Sequence, residues 1–124
     1  MEEIIRCYAP VTALARRVVE DTELHGRQLK AGDQIALVWG SASRDEDRIP
    51  HVDQFQLDRS SSRHVSFGLG NHLCVGADLA RLQLTIAIEE FLAKFESFEV
   101  PDDLQNVGWP RNAYAEIPID VARR

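Results

Sequence analysis

The pattern of apolar and polar side chains predicts one long helix late in the chain and a short helix at its start. Residues 78–95 carry apolar side chains at spacings of three and four, the period of an α-helix. Because these positions are spread widely around the helix, we expect it to be largely buried. Residues 2–8 are typical of the end of a helix, which Pro10 stops because the residue before a proline is pushed out of α geometry.

Short strands are predicted between these helices and at the end of the chain. His25-Gly26 and other turn-forming residues separate three strand-like segments, and a small sheet is expected there. The segments are residues 17–20, 22–24 and 34–39. Residues 109–121 alternate in a way that predicts a terminal strand or hairpin. The pattern as a whole favours an α+β fold.

Residues 40–63 show no sustained period and are rich in turn-forming side chains. A loop longer than about 12 to 15 residues in a compact domain is usually functional or contains short helical turns. We therefore expect this stretch to make contacts of its own rather than merely to connect its neighbours.

Composition narrows the class of protein. The 124 residues, with a formal charge of −6 and 44% hydrophobic side chains, are ordinary for one globular domain. The acidic balance argues against nucleic acid as a partner, and the longest apolar run, residues 35–39, is far shorter than the ~20 residues of a membrane span. The start is acidic, unlike a signal peptide. We expect the chain to be cytoplasmic and not to associate with a membrane, so that Cys7 and Cys74 stay reduced.

The candidate chemistry lies just before the long helix. Gly68, Gly70 and Gly76 fall within nine residues, and such a loop lets a flat ligand approach the backbone closely. Cys74 lies at the predicted helix N-terminus, where the macrodipole and unpaired N–H groups stabilise a thiolate. This placement favours metal ligation over an inert buried thiol.

The segment Phe67-Gly68-Leu69-Gly70-Asn71-His72-Leu73-Cys74-Val75-Gly76 resembles the haem-binding loop of the cytochrome P450 family. The family pattern is Phe-Gly-x-Gly-x-His/Arg-x-Cys-x-Gly followed by x-x-Leu-Ala, and each fixed position is met. Glu3-Ile4-Ile5-Arg6 is similar to the family's Glu-x-x-Arg helix, and residues 63–67 match a lead-in common in soluble bacterial members.

The resemblance implies which fold residues 1–124 adopt and which portion of that fold they form. They would form the C-terminal, haem-binding portion of a P450 fold, which is mainly α in the parent. The expected parts are a short helix, a small sheet, a meander loop, the cysteine loop and a long helix.

The resemblance also implies a cofactor, haem b, and the residues that bind it. Cys74 would be the iron ligand and the catalytic residue. His72 and Arg16 would bind the haem propionates, and Phe67 would shield the thiolate. Gly68 and Gly76 would belong to the cofactor-binding loop.

Other residues receive implied roles away from the iron. Glu3 and Arg6 would form a structural ion pair that anchors the irregular stretch before the loop. Two chain tips would face the substrate: the turn of Val11, Thr12, Ala13 and Leu14, and a second tip at residues 112–114.

The implied activity is that of a haem-thiolate monooxygenase. It would insert one oxygen atom from O2 into a small organic substrate, with two electrons from a ferredoxin or flavoprotein reductase. No residues resemble the family's central helix with its acid-alcohol pair, so we expect this chain to be the C-terminal part of a longer enzyme. The rival hypothesis is a non-catalytic, truncated haem-binding remnant.

Several positions have alternative interpretations. Many family members carry an arginine before the phenylalanine of the meander, but Gln54 precedes Phe55 here, which predicts a weakened Glu-x-x-Arg network. Arg81 is either part of a surface that docks the electron donor or a surface residue without a role. A zinc site at His72 and Cys74 would need further ligands. Four other side chains are expected to be structural, in turns, on the surface or beside the loop: Cys7, His25, His51 and His64.

Overall fold

The computed structural model of the chain describes residues 1–59, 64–109 and 111–124. Residues 60–63, which belong to the predicted loop and to the lead-in segment, and Pro110 in the predicted terminal strand lie outside this range. The elements in chain order are α1 (Glu2–Cys7), β1 (Leu14–Arg17), β2 (Thr22–Leu24), β3 (Arg27–Leu29), β4 (Gln34–Leu37), α2 (Trp39–Ala42), a 3-10 turn (Gly70–His72), α3 (Ala77–Lys94), β5 (Phe95–Glu99) and β6 (Asp120–Arg123).

The strands form antiparallel pairs, where the sequence predicts a single small sheet. β1 pairs with β4, β2 with β3, and β5 with β6. The β2–β3 hairpin turns at His25 and Gly26, both at positive φ, as tight hairpins require. β3 was not predicted, β1 begins three residues earlier than expected, and β4 ends at Leu37, where the chain turns into α2.

Short α1 carries charges that suit its dipole and buries one face. Glu2 and Glu3 lie in its first turn and Arg6 in its last. Beyond Tyr8, Pro10 prevents continuation. Among the described residues, the apolar core comprises Ile5, Ala9, Ala13, Val18, Ile49, Val52 and Ala77.

The long helix α3 runs over Ala77–Lys94, one residue earlier than predicted, but its expected burial is wrong. Ala77 is its buried residue, whereas Leu79 and Leu82 are 58% and 57% exposed. Apolar side chains on all sides of a helix need neighbours on all sides. On one side, Phe91 packs against Phe95 and Phe98, with ring centroids 4.9 and 5.4 Å apart.

Within the three described ranges, no helix combines the length and the apolar character that crossing a membrane demands.

Candidate functional site

The cysteine loop is a closed turn held by its own backbone. The amide of Cys74 donates to the carbonyl oxygen of Phe67 at 2.8 Å, and the amide of Leu73 donates to that of Gly70 at 3.0 Å. The amide of Ala77, the first residue of α3, donates to the Cys74 carbonyl at 3.2 Å. These bonds place Cys74 three residues before the start of α3, close to the predicted helix N-terminus, with its side chain exposed.

Glycine is required at one position of this loop for two reasons. Gly68 has φ +79°, and a Cβ there would lie 3.1 Å from the carbonyl oxygen of His72. Gly76 differs, since a Cβ there would be at ordinary contact distance, 3.9 Å, from the Cys74 sulfur. Its small size leaves space beside the sulfur.

A largely apolar cavity of about 410 Å³ opens beside Cys74. It brings together several of the side chains that the resemblance assigns to cofactor and substrate. The lining residues are Pro10, Val11, Leu14, Arg16, Trp39, Ser66, Phe67, Gly68, His72 and Cys74. Of the predicted site residues, Thr12, Ala13 and Gly76 do not line it, and Ala13 is buried in the core at 3% exposure.

Arg16 supplies a positive charge to the cavity. It lies on β1, opposite Ile35 of β4, and its Nη1 donates to the carbonyl oxygen of Ala15 at 2.9 Å. Within the described part of the chain, no carboxylate forms an ion pair with Arg16. Its guanidinium, like the exposed imidazole of His72, can therefore bind an anionic group of a ligand.

The two predicted substrate-facing tips lie side by side. The amide of Asn112 donates to the carbonyl oxygen of Pro10 at 2.9 Å, and Val11 forms an antiparallel bridge with Arg111. Backbone bonds thus hold the second tip against the first, at the edge of the cavity.

The predicted ion pair between Glu3 and Arg6 is formed and is buried, with side chains 4% and 0% exposed. Arg6 donates from Nε to Oε2 and from Nη2 to Oε1, both at 2.8 Å. These bonds hold the pKa of Glu3 at about 2, although burial opposes the shift. Arg6 also donates from Nη1 to the carbonyl oxygen of Ser43 at 3.2 Å, which ties α1 to the irregular stretch that follows α2, residues 43–59, here called the meander.

The weakened network expected from Gln54 is not seen, because Arg59 supplies the third charge. Its Nε lies 3.1 and 3.2 Å from the two carboxylate oxygens of Glu3, and its side chain is 8% exposed. It also donates to the carbonyl oxygens of Pro50, His51 and Gln54. Arg59 was not predicted, because the family pattern places its arginine directly before Phe55, whereas here it lies four positions after Phe55.

A second charged cluster lies beside Phe67. Arg81 of α3 binds Glu2 of α1 with both ends of its fork, Nε to Oε1 at 2.8 Å and Nη2 to Oε2 at 3.1 Å. The Nε2 of His64 lies 3.0 Å from Oε2 of Glu2. Arg81, more than His64, holds the pKa of Glu2 below its ordinary value.

Both bases of this cluster contact the Phe67 ring. The Arg81 guanidinium carbon lies 4.8 Å from the ring centroid, and the His64 ring centroid lies 6.1 Å from it. The His64 side chain is 2% exposed, so its expected packing near the loop is confirmed. Arg81 also binds Asp78 at 3.2 Å. Two carboxylates thus compensate the charge that a docking role would use.

The zinc alternative is not supported by a cluster of ligands in the part of the chain that the structure describes. No group of three or more His, Cys, Asp or Glu side chains converges there. Cys7 is half-buried and its sulfur accepts a hydrogen bond from Arg6 Nη2 at 3.1 Å, which fits its expected structural role.

Comparison with known proteins connects this geometry to one family. The cytochrome P450 family profile matches residues 1–108. Cytochrome P450-terp of Pseudomonas sp is 40% identical over 117 residues, which are 90% of this chain and 27% of that protein. The steroid C26-monooxygenase of Mycolicibacterium smegmatis is 39% identical over 103 residues, 83% of this chain and 26% of its own length.

Solved structures agree with the sequence relatives. The crystal structure of CYP109E1 from Bacillus megaterium superposes with a TM-score of 0.91 at 32% identity, covering 99% of this chain and 33% of that one. The chain therefore spans about a third or less of the length of these relatives. Its helices, small sheets and cysteine loop are a portion of a P450 fold, and the chain belongs to the cytochrome P450 family.

Proposed function

We propose that the chain is the cysteine-ligand portion of a haem-thiolate monooxygenase. The observation that carries this proposal is the exposed Cys74 side chain beside an apolar cavity that also contains Arg16 and His72. Haem b, when bound, supplies the chemistry that inserts one atom of O2 into an organic molecule. In this proposal residues 1–124 act as one haem-binding portion.

The residues present fit an iron porphyrin with two propionates. A largely apolar group suits the cavity, whose lining includes Gly68 of the cysteine loop. Cys74 would be the iron ligand, since a thiolate is the ligand that the family uses. Arg16 and His72 would bind the propionates through charge-assisted hydrogen bonds.

Phe67 and Gly76 would act on either side of the sulfur. The carbonyl oxygen of Phe67 accepts a hydrogen bond from the Cys74 amide, and both residues line the cavity. In this proposal the Phe67 ring limits access of water to the thiolate. Gly76 would leave the space beside the sulfur open to the porphyrin face.

The substrate is proposed to be a small apolar organic molecule that meets Val11 and Leu14 of the predicted turn, whereas Ala13 of that turn is buried in the core. Val11 and Leu14 support this most directly, because their side chains line the cavity. Relatives named as a steroid C26-monooxygenase and a linalool 8-monooxygenase are consistent with an apolar substrate. A ferredoxin or flavoprotein reductase would deliver the electrons, in the cytoplasm.

A second candidate function is haem binding without substrate oxidation. The observation that favours it is the exposure of the apolar side chains of α3. CYP109E1 is about three times as long as this chain, so it has further segments that could cover such a helix. Oxygen activation would then need residues that are not among these 124.

The first test is the carbon monoxide spectrum of the reduced chain after loading with haemin. We expect the red-shifted Soret band of thiolate ligation in the wild type, and its loss in Cys74→Ala. Cys7→Ala is the matched control and retains the band, because Cys7 lies on α1 and not on the cavity. A red-shifted band in Cys74→Ala, or its absence from the wild type, contradicts the proposal.

A further inference from the structure

The cluster beside Phe67 closes the cysteine loop at its two ends. Phe67 lies seven residues before Cys74 and Arg81 lies seven residues after it. Arg81 stands over the Phe67 ring at 4.8 Å, a distance at which a guanidinium and an aromatic ring attract each other. The loop between them is therefore joined by a side-chain contact as well as by the Cys74–Phe67 backbone bond.

Glu2 fixes the orientation of Arg81. The two parallel bonds of 2.8 and 3.1 Å hold the guanidinium plane, which a single contact would leave free to rotate. Asp78, the other carboxylate on Arg81, makes one bond of 3.2 Å and is fully exposed. Glu2 is thus the partner that determines where Arg81 lies.

His64 completes the enclosure on the other side of Phe67. The Ser66 amide donates to its Nδ1 at 3.2 Å, so in the neutral ring Nε2 carries the hydrogen and donates to Glu2. With a side chain only 2% exposed, this imidazole has little freedom to move away from Phe67.

We propose that Arg81 is a positioning residue which, oriented by Glu2, fixes the Phe67 ring and through it the environment of the Cys74 sulfur. The inference rests on the proposed function where it concerns the reduction potential of the Cys74-ligated iron. It extends that function by assigning the Glu2–Arg81 ion pair a role in setting the reduction potential of that iron.

Hydrogen exchange of the unloaded chain tests the positioning directly. In Arg81→Gln and in Glu2→Gln, we expect the Cys74 amide to exchange about tenfold faster, while the Tyr8 amide, bonded to Ile4, is unchanged. Asp78→Asn is the matched control and leaves both amides unchanged. Equal exchange of the Cys74 amide in all four chains overturns the proposal, and so does a uniform increase at Cys74 and Tyr8.

The midpoint potential of the haemin-loaded chain distinguishes positioning from charge. If charge alone acted, Arg81→Gln would lower the potential and Glu2→Gln would raise it, because they remove opposite charges. Loss of the Phe67 position predicts shifts in the same direction, with the double variant no further shifted than the larger single one. Arg81→Lys, which keeps the charge without the fork, should fall between Arg81→Gln and wild type.

Asp78→Asn removes the same charge as Glu2→Gln and is expected to leave the potential near the wild-type value. Opposite shifts for Arg81→Gln and Glu2→Gln, or equal shifts for Glu2→Gln and Asp78→Asn, overturn the proposal. Absence of a thiolate carbon monoxide band in the wild-type chain would instead be a failure of the proposed function, and the exchange experiment would still decide the positioning.

Discussion

Glu3 shows how a single buried carboxylate can organise a site. Its two oxygens accept bonds from Arg6, Arg59 and the amide of Gln56. A buried carboxylate is costly unless such donors compensate it. Here the donors come from α1 and from the end of the meander, so the compensation of one charge also fixes two segments that are distant in sequence.

The pKa of Glu3 predicts a loss of stability in acid. The bonds from Arg6 lower this pKa from 4.5 to about 2. Stability from the ionised form is therefore present above pH 4.5 and lost as the pH falls towards 2. At about 1.4 kcal/mol for each pKa unit, the loss amounts to about 3 kcal/mol.

Urea unfolding of the wild type and Glu3→Gln over this range measures the effect. The difference in unfolding free energy between the two chains should be constant above about pH 5 and shrink towards pH 2. A difference that stays constant down to pH 2 would show that Glu3 titrates normally.

Gly68 offers a second prediction at the scale of one residue. Gly68→Ala should weaken haemin binding and destabilise the loop, because φ is +79° and the new Cβ would lie 3.1 Å from the His72 carbonyl. Gly70→Ala is the matched control: φ is +60°, with nothing within 4 Å of a Cβ. We expect Gly68→Ala to cost about 1 kcal/mol more than Gly70→Ala in chemical unfolding. Equal costs would rule out the steric contribution.

Among the larger elements, the meander depends on two arginine side chains, Arg6 of α1 and Arg59 of the meander itself. Arg59 binds three meander carbonyls and Glu3, and Arg6 binds a fourth carbonyl, that of Ser43. In irregular backbone such donors replace the bonds that a helix or sheet would supply. Two guanidinium groups thus hold the described part of this loop that follows α2, residues 43–59.

Removal of the Arg59 side chain should therefore destabilise the folded chain. We expect Arg59→Ala to lower the unfolding free energy by about 3 kcal/mol, since Glu3 loses a buried partner and three carbonyls lose a donor. The control is Lys30→Ala, which breaks an exposed pair with Asp21 and should cost less than about 1 kcal/mol. Chemical unfolding monitored by circular dichroism compares them, and equal costs would contradict the role assigned to Arg59.

Local patterns predicted the elements of this chain better than the contacts between them. The Glu3–Arg6 pair, implied by the Glu-x-x-Arg pattern, is formed, and the spacing of apolar residues located α3 to within one residue at each end. β1 was misplaced because a strand of four residues is defined by its partner, here β4, more than by its own sequence. Arg59 was missed because its contact with Glu3 spans 56 residues.

At the scale of the whole molecule, the chain exposes more surface than a compact monomer of its size. Its accessible surface is 9941 Å², while a folded monomer of 14.0 kDa exposes about 6,700 Å². The excess includes α3, whose periodicity predicted an apolar helix correctly but could not show which segments cover it. Its burial was predicted wrongly for that reason.

The exposed α3 surface predicts that the isolated chain binds apolar dyes and self-associates. Leu82→Glu should reduce both the fluorescence of bound anilinonaphthalene sulfonate and the mass seen by sedimentation, because it interrupts a contiguous apolar surface. Leu24→Glu is the matched control, since both leucines are 57% exposed but Leu24 lies on the β2–β3 hairpin. An equal effect of the two substitutions would argue against association through α3.

The bonds around Cys74 also imply an order of assembly. The Phe67–Cys74 bond joins residues seven apart in the sequence, whereas the Glu2–Arg81 pair joins residues 79 apart. Closing a longer loop costs more entropy and delays contact formation. During folding, the cysteine loop is therefore expected to form early. The Glu2–Arg81 pair, which connects α3 to α1, is expected to form later.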